Sequence, residues 1–485
     1  VRSLMRSGQF LLQPLVAAMA IAYSTTTLAV ETPTHALTAI VATAQTGNDA
    51  NGLIVRADPK QPIQPIPATD GADYLQSIVG FSAVNSGAGT NGDVTFRGMF
   101  GSRIKILTDG TENLGACPSR MDSPSSYISP ESYDQISVIK GPQTVQYANT
   151  GSAATVIFER RPEDFSQDQN YRGQASVVVG SYGRLDQNIE AAVGDEQKYI
   201  RLNTNRSVSN SYQDGDGKTV PSDWKRWNAD IALGWTPNAD TWVELTGGKA
   251  DGEAVYAGRA MDGSKFARES LGLRVEKKNV SDVIEKIEAQ VNYNFNDHVM
   301  DNYSLRKPPM MQMATNVARK TLNARLAMTQ EWDNMNLITG IDTQNNEHSI
   351  RKTDAMQGIV YQDQPRMTDM KFQSFGGFGE LTYHFDDENR LVSGARIDQV
   401  KAKDQRNVTA SLNKQREHTL FSGFVRFENL HPDHDDGKTY IGLGYVERMP
   451  DYWELFSPKS GNGQANIFNQ IDTEKTFQLD LGYQH

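Results

Sequence analysis

The chain has 485 residues, a formal net charge of -11 and a sequence pI near 5.3. A chain with this charge repels nucleic acid phosphates, so composition argues against a nucleic acid partner. The mean hydropathy of -0.55 and the hydrophobic content of 38% are low for one large core, whereas 40 glycines and 18 tyrosines suit many exposed strands.

The first predicted element is a secretory signal peptide at residues 1–29. Two arginines precede an apolar stretch that runs from Phe10 to Ala29 and ends on small residues, as export signals do. A single membrane anchor is the alternative, but Gln13-Pro14 leaves the apolar core short of the roughly 20 residues that a helical span needs. We therefore expect an exported protein.

Residues 30–70 are predicted to form an extended lead-in, because they are poor in aromatic residues and rich in alanine, threonine and proline. Within the lead-in, residues 37–44 form a short apolar, β-prone segment of the kind that pairs with the edge of a partner's sheet. After Ala29 there is no run of about 18 apolar residues, so helical membrane spans are not expected in the mature chain.

Residues 71–162 are predicted to fold as a small α+β domain. Short apolar segments such as Val94 to Phe96 and Ile104 to Leu107 alternate there with glycine turns. These segments are numerous enough for a modest core of their own.

Residues 165–485 repeat segments of about ten residues in which apolar and polar side chains alternate. From Lys286 to Phe295 every odd position is apolar or aromatic and every even position is polar; a second apolar face runs from Trp227 to Trp235, with tryptophan at both ends. This pattern is typical of antiparallel transmembrane strands. A soluble sandwich or propeller also alternates, but the aromatic ends, the alternation of short turns with long polar loops and the signal peptide favour a large membrane β-barrel.

Several segments carry a family resemblance. In the small domain they are Val94-Thr95-Phe96-Arg97-Gly98, Ile104 to Gly110 and Ser129 to Val145; in the barrel region they are Gly394-Ala395-Arg396-Ile397-Asp398 and Arg448 to Phe456. Together these segments resemble TonB-dependent outer-membrane receptors. The resemblance implies an all-β membrane protein of the bacterial outer membrane, in which a small α+β plug fills a large antiparallel barrel in contact with outer-membrane lipid.

The resemblance also implies partners and a size. Residues 37–44 would be the TonB box, which engages TonB and its inner-membrane energising complex. Barrels of this kind close with about 22 strands, whereas we count roughly fifteen strand-like segments in this sequence. Unpaired sheet edges are costly in hydrocarbon, so residues 1–485 are expected to form an incomplete barrel.

Two short clusters are candidates for metal binding. Cys117, which is the single cysteine of the chain, and Met121 lie four residues apart in the small domain. His298 and Met300 continue the Lys286 to Phe295 strand, and its parity turns both side chains inward while Val299 falls with the outward set. From spacing alone, a packed cysteine, a gap-filling methionine and a solvated histidine remain open alternatives.

The conjunction of the two clusters resembles the copper receptors of the TonB-dependent family, in which a Cys-x-x-x-Met segment of the plug and a His-x-Met segment of the wall supply the metal ligands. The resemblance assigns Cys117, Met121, His298 and Met300 to a copper site, with copper as the transported ligand. Zinc is the rival metal, but zinc sites use cysteine, histidine and carboxylates rather than thioethers. The nearby Met310, Met311 and Met313, and Met99 of the small domain, are left out of the site, because flexible gap filling accounts for them as well.

The function that follows is TonB-dependent binding and import of copper, not catalysis. A receptor for a siderophore or another metal chelate is the first alternative. An outer-membrane hydrolase with Cys117 as nucleophile is the second, although no nucleophile motif surrounds that residue. The oxidation state of the copper and a role in storage or sensing stay open at this point.

Overall fold

The computed structural model describes residues 52–61, 67–68, 70–84, 92–148, 151–406, 415–431, 437–455, 468 and 471–484. The predicted signal peptide at 1–29 and the predicted TonB box at 37–44 lie outside the described residues. Within the described ranges, no helix is both long and apolar enough to cross a bilayer.

A small two-sheet domain comes first along the chain. Its elements are β1 (Ile54–Ala57), α1 (Gly71–Leu75), β2 (Phe81–Val84), β3 (Asp93–Phe96), β4 (Met99–Phe100), β5 (Ile104–Thr108), β6 (Thr111–Glu112), β7 (Gln135–Lys140) and β8 (Ala154–Glu159). One sheet has the order β1-β7-β8-β5-β6, in which only β5 and β8 are parallel, and the other has the order β2-β3-β4.

The apolar segments of this domain meet in one core that includes Phe96, Ile136 and Phe158, each of them fully buried. The strand β1 belongs to the same unit although it lies within the predicted lead-in: Ile54 pairs with Ile139 of β7, and Val55 is part of the core. The folded domain therefore begins earlier than residue 71, because the exposed edge of β7 gives this apolar segment a partner.

A second, much larger sheet follows. Its fourteen strands, in the described part of the chain, are β9 (Tyr171–Gly180), β10 (Arg184–Gly194), β11 (Lys198–Ser209), β14 (Trp224–Asn238), β15 (Thr241–Ala254), β16 (Asp262–Lys278), β17 (Ile284–Asp301), β18 (Ala314–Trp332), β19 (Met335–Lys352), β20 (Met367–His384), β21 (Asn389–Asp404), β22 (Gln415–His431), β23 (Gly437–Arg448) and β24 (Glu474–Gln484). Each strand pairs antiparallel with the next in this order. The strands β12 (Tyr212–Gln213) and β13 (Thr219–Val220) form a separate hairpin, and helix α2 (Tyr452–Leu455) follows β23.

The predicted alternation is confirmed on these strands. Trp227 and Trp235 of β14 are 41% and 53% exposed on the apolar outer face, whereas Asn228 and Ala232 between them are buried on the inner face. Inner-face side chains reach the small domain, as when Asn296 of β17 donates to the carbonyl of Leu114 at 2.6 Å. The large sheet thus wraps its polar face around the small domain and turns its apolar face outward.

The two ends of the large sheet differ in their connections. Short turns at 239–240 and 333–334 join strands at one end, while longer segments at 302–313 and 353–366 join them at the other. In outer-membrane barrels the long loops are extracellular and the short turns periplasmic. The inward residues near the end of β17 therefore lie at the end of the sheet that carries the long loops.

The exposure at the end of β17 is lower than the alternation predicts. Val299 was expected on the exposed outer face but is only 2% exposed, and the strand ends at Asp301. The segment after β19 folds over this part of the wall, where Arg366 donates to Asp297 at 2.9 Å. Contacts with this loop therefore reduce the exposure of the upper wall.

Candidate metal site

The loop that carries Cys117 is held from within the small domain by Asp122. The carboxylate of Asp122 accepts hydrogen bonds from the backbone N–H groups of Ala116, at 2.7 Å, and of Cys117, at 2.8 Å. The chain passes so closely here that a Cβ on Gly115 would lie 2.0 Å from the backbone oxygen of Asp122. Only glycine fits at this position without a shift of the loop.

Turn geometry brings Met121 back toward Cys117. The N–H of Arg120 donates to the carbonyl of Cys117 at 2.9 Å, and Arg120 has a φ of 53°. Its guanidinium is held by both carboxylate oxygens of Asp93, at 2.5 and 2.8 Å. The ion pair stabilises a conformation that non-glycine residues rarely adopt, and Cys117 and Met121 are left 4% and 2% exposed in one cluster.

The wall side of this cluster comes from β17. Met300 points inward, as its parity predicts, and its Sδ lies 3.4 Å from the Sγ of Cys117. Tyr127, Phe266 and Val317 belong to the same buried cluster. The fold therefore brings a plug thiol and a wall thioether, separated by 183 residues in sequence, into direct contact.

His298 lies beside the same cluster. The ring is fully buried, with its centroid 4.5 Å from that of Phe266. Its Nδ1 lies 2.9 Å from the carbonyl oxygen of Lys265, and its Nε2 has no hydrogen-bond partner. A carbonyl only accepts, so Nδ1 carries the hydrogen and Nε2 keeps a free lone pair, which is the form of imidazole that binds metals.

The surroundings of the Cys117 thiol disfavour its thiolate form. Burial, with a contribution from the nearby carboxylate of Asp122, raises the pKa of Cys117 to about 12. At neutral pH and without a metal, the side chain is therefore a thiol rather than a nucleophilic thiolate. This chemistry does not suit a cysteine hydrolase.

The four methionines that the sequence analysis left out of the site lie elsewhere. Met310 is fully exposed, Met311 and Met313 are 60% and 40% exposed, and Met99 packs against the separate core of the small domain. Among the described residues, no group of three or more histidine, cysteine, aspartate or glutamate side chains is arranged to hold a metal ion.

Sequence reasoning missed Asp122, which fixes the cysteine loop, and Phe266, which supports the histidine. A carboxylate five residues after Cys117 was the available signal for Asp122, because short polar side chains often bond to nearby backbone N–H groups. Nothing in the sequence indicates that Phe266 lies opposite His298, because that pairing depends on the register of β16 with β17.

A barrel wrapped around a small two-sheet domain defines the class of protein, and the comparisons with known proteins agree with it. Residues 55–155 match the TonB-dependent Receptor Plug Domain, and residues 203–485 match the TonB dependent receptor-like, beta-barrel family. The chain belongs to the TonB-dependent receptors, and it is a bacterial outer-membrane protein. The family consists of receptors and transporters rather than enzymes.

Among solved structures, the chain is similar to one described as the copper transporter OprC, with 51% identity and a TM-score of 0.86 over 90% of this chain and 69% of that one. The FrpB iron transporter from Neisseria meningitidis has 14% identity and a TM-score of 0.65, over 83% of this chain and 66% of that one. The Serratia marcescens hemophore receptor HasR has 15% identity and a TM-score of 0.69, over 89% and 69%. The last two share the fold alone. No curated protein sequence matches the chain.

Proposed function

We propose that this receptor binds copper where the plug meets the barrel wall, and imports it across the outer membrane with energy supplied through TonB. The proposed ligands are Cys117 and Met121 of the plug and His298 and Met300 of the wall. The observation that carries the proposal is the 3.4 Å contact between the Cys117 and Met300 sulfur atoms, beside a buried imidazole nitrogen without a partner.

The donor set favours copper over other metals. One cysteine, two thioethers and one imidazole form a soft set that suits Cu(I), whereas zinc sites rarely use thioethers. The name of the relative at 51% identity, a copper transporter, supports the same cargo. Copper is here the transported substrate, and its binding requires Cys117 to lose a proton.

We also propose that residues 37–44 engage TonB and that the inner-membrane complex of TonB supplies the force. Two of the ligands lie on the plug and two on the wall, so a displacement of the plug separates them. The same movement of the plug relative to the wall would then break the copper site and release the copper. A receptor for an iron siderophore is the competing function, and growth on ferric chelates as the sole iron source distinguishes the two.

The direct test removes the plug half of the site. Full-length protein carrying Cys117→Ser and Met121→Ala is expected to lose the copper that the wild-type protein retains, because two of four donors are gone and a hydroxyl is a poor ligand for Cu(I). Copper per chain is measured by mass spectrometry after dialysis. The variant Met356→Ala, at a methionine that is 95% exposed, is the control and should keep its copper; equal copper in all three proteins would refute the site.

A second prediction concerns the loop that carries the thiol. Gly115→Ala is expected to weaken copper binding by roughly 10- to 100-fold, because crowding costs of about 1–3 kcal/mol displace the backbone beside Cys117. The matched control is Gly258→Ala, where a Cβ would meet no atom within 4 Å. Competition with a chromophoric Cu(I) chelator measures both affinities, and identical values for the two alanine variants would contradict the prediction.

A further inference from the structure

Three neighbouring strands of the barrel wall hold three consecutive carbonyl groups of the plug. Asn296 of β17 donates to the oxygen of Leu114 at 2.6 Å, and Arg319 of β18 donates to that of Gly115 at 3.2 Å. His348 of β19 lies 2.8 Å from the oxygen of Ala116 through its Nε2. These contacts end immediately before Cys117.

The peptide bond between Ala116 and Cys117 is held at both of its polar ends. The wall holds its carbonyl oxygen through His348, and the plug holds its N–H through Asp122. A peptide unit is planar, so two hydrogen bonds at opposite ends of the plane fix the position of the Cα of Cys117. The wall that carries His298 and Met300 is thus also bonded to the backbone of the plug ligand.

The ring of His348 is itself fixed by two other elements. Its Nδ1 lies 2.6 Å from a carboxylate oxygen of Asp369 on β20, whose other oxygen accepts the hydroxyl of Tyr452 at 2.8 Å. Tyr452, in α2, stacks on the imidazole with 3.5 Å between ring centroids and 19° between planes. All three side chains are buried, which leaves the imidazole little freedom to turn away from the plug.

We propose that His348 is a positioning residue of the copper site. It acts through the carbonyl of Ala116 to hold the thiol of Cys117 against the wall ligands. The inference rests on the proposed function and adds a residue to it. The hydrogen bond between His348 and Ala116 has to break when the plug moves. Its loss and the separation of the plug ligands from the wall ligands are then one event.

The two nitrogens of the ring can be replaced one at a time. The amide nitrogen of glutamine takes the place of Nε2 and can donate to Ala116, whereas that of asparagine takes the place of Nδ1 and reaches only Asp369. Both side chains are polar and of similar size. His348→Gln and His348→Asn therefore separate the contact with the plug from the contact with Asp369.

The experiment uses full-length protein extracted from outer membranes, with Cu(I) alone as the probe and His384→Asn as the control at an exposed histidine of β20. Affinity per folded chain is measured by chelator competition, and the number of sulfur atoms bound to copper by X-ray absorption. We expect His348→Asn to bind about 10- to 100-fold more weakly, as loss of an outer-shell partner does, and with fewer sulfur ligands. His348→Gln should retain wild-type affinity and sulfur number.

Two results separate the inference from the function beneath it. If His348→Asn binds copper as tightly as His348→Gln, with the same number of sulfur ligands, His348 does not position the thiol and the inference is overturned. If the wild-type protein binds no Cu(I), the proposed function fails first. Counting folded chains by their resistance to SDS before heating corrects for any difference in assembly.

Discussion

Replacement of His298 by phenylalanine and Met300 by leucine is expected to lower the affinity for Cu(I) by more than the roughly 10- to 100-fold that loss of an outer-shell partner costs. The substitutions remove the free imidazole nitrogen and the sulfur that lies 3.4 Å from the thiol. Similar apolar volume is retained, so packing against Phe266 and Val317 should survive. Affinity is measured by chelator competition on protein in detergent.

The control for this double variant is Met328→Leu, which makes the same methionine substitution on β18 outside the cluster. It should bind copper as the wild-type protein does. If the double variant kept wild-type affinity while the plug variant lost it, the wall would contribute no ligand and the site would be confined to the plug. Only losses on both sides support a site shared between the two domains.

The largest expected effect on stability comes from Arg396→Leu, at a cost of about 3–5 kcal/mol. Its guanidinium is fully buried and donates to both oxygens of Asp342, at 2.8 and 2.6 Å, and to both oxygens of Asp398, at 2.8 and 2.6 Å. Leucine would leave two buried carboxylates without the guanidinium that bonds to both of them. The midpoint of urea unfolding in detergent, followed by tryptophan fluorescence, is the measurement.

Arg390→Leu on the same strand, β21, is the matched control. Arg390 is partly exposed, and its partner Glu428 keeps Arg426 and Lys438, so the loss should stay below about 1 kcal/mol. Equal midpoints for the two leucine variants would mean that the buried cluster adds nothing to stability. Gly376 on β20 makes this cluster possible, since a Cβ there would lie 2.1 Å from Asp398.

The sequence predicted much of this architecture. Alternation in Lys286 to Phe295 predicted the inward face of β17. The segment Gly394 to Asp398 carried part of the family resemblance, and its Arg396 and Asp398 form an ion pair in one buried cluster. The all-β membrane fold and the small domain inside it are confirmed. These features are local in the chain, because a period of two and a turn residue need no distant partner to be recognised.

The site was only partly accessible to the same reasoning. Spacing and parity identified Cys117, Met121, His298 and Met300 as a hypothesis, with the resemblance joining the two halves. Only the coordinates show how close these residues lie and that Nε2 of His298 has a free lone pair. Only the coordinates show the hydrogen bonds to the peptide unit before Cys117. Val299 marks the limit of the pattern, because it is buried at a height where the loop after β19 packs on the wall.

The sequence by itself determined which side chains point into the barrel, since alternation is a property of each strand. The tertiary structure alone decided which inward side chains meet, since strand register and the position of the plug depend on contacts between residues far apart in the chain. The contact between the Cys117 loop and the wall depends on this assembly. It forms only when β17, β18 and β19 lie side by side and the plug sits at one particular height in the barrel.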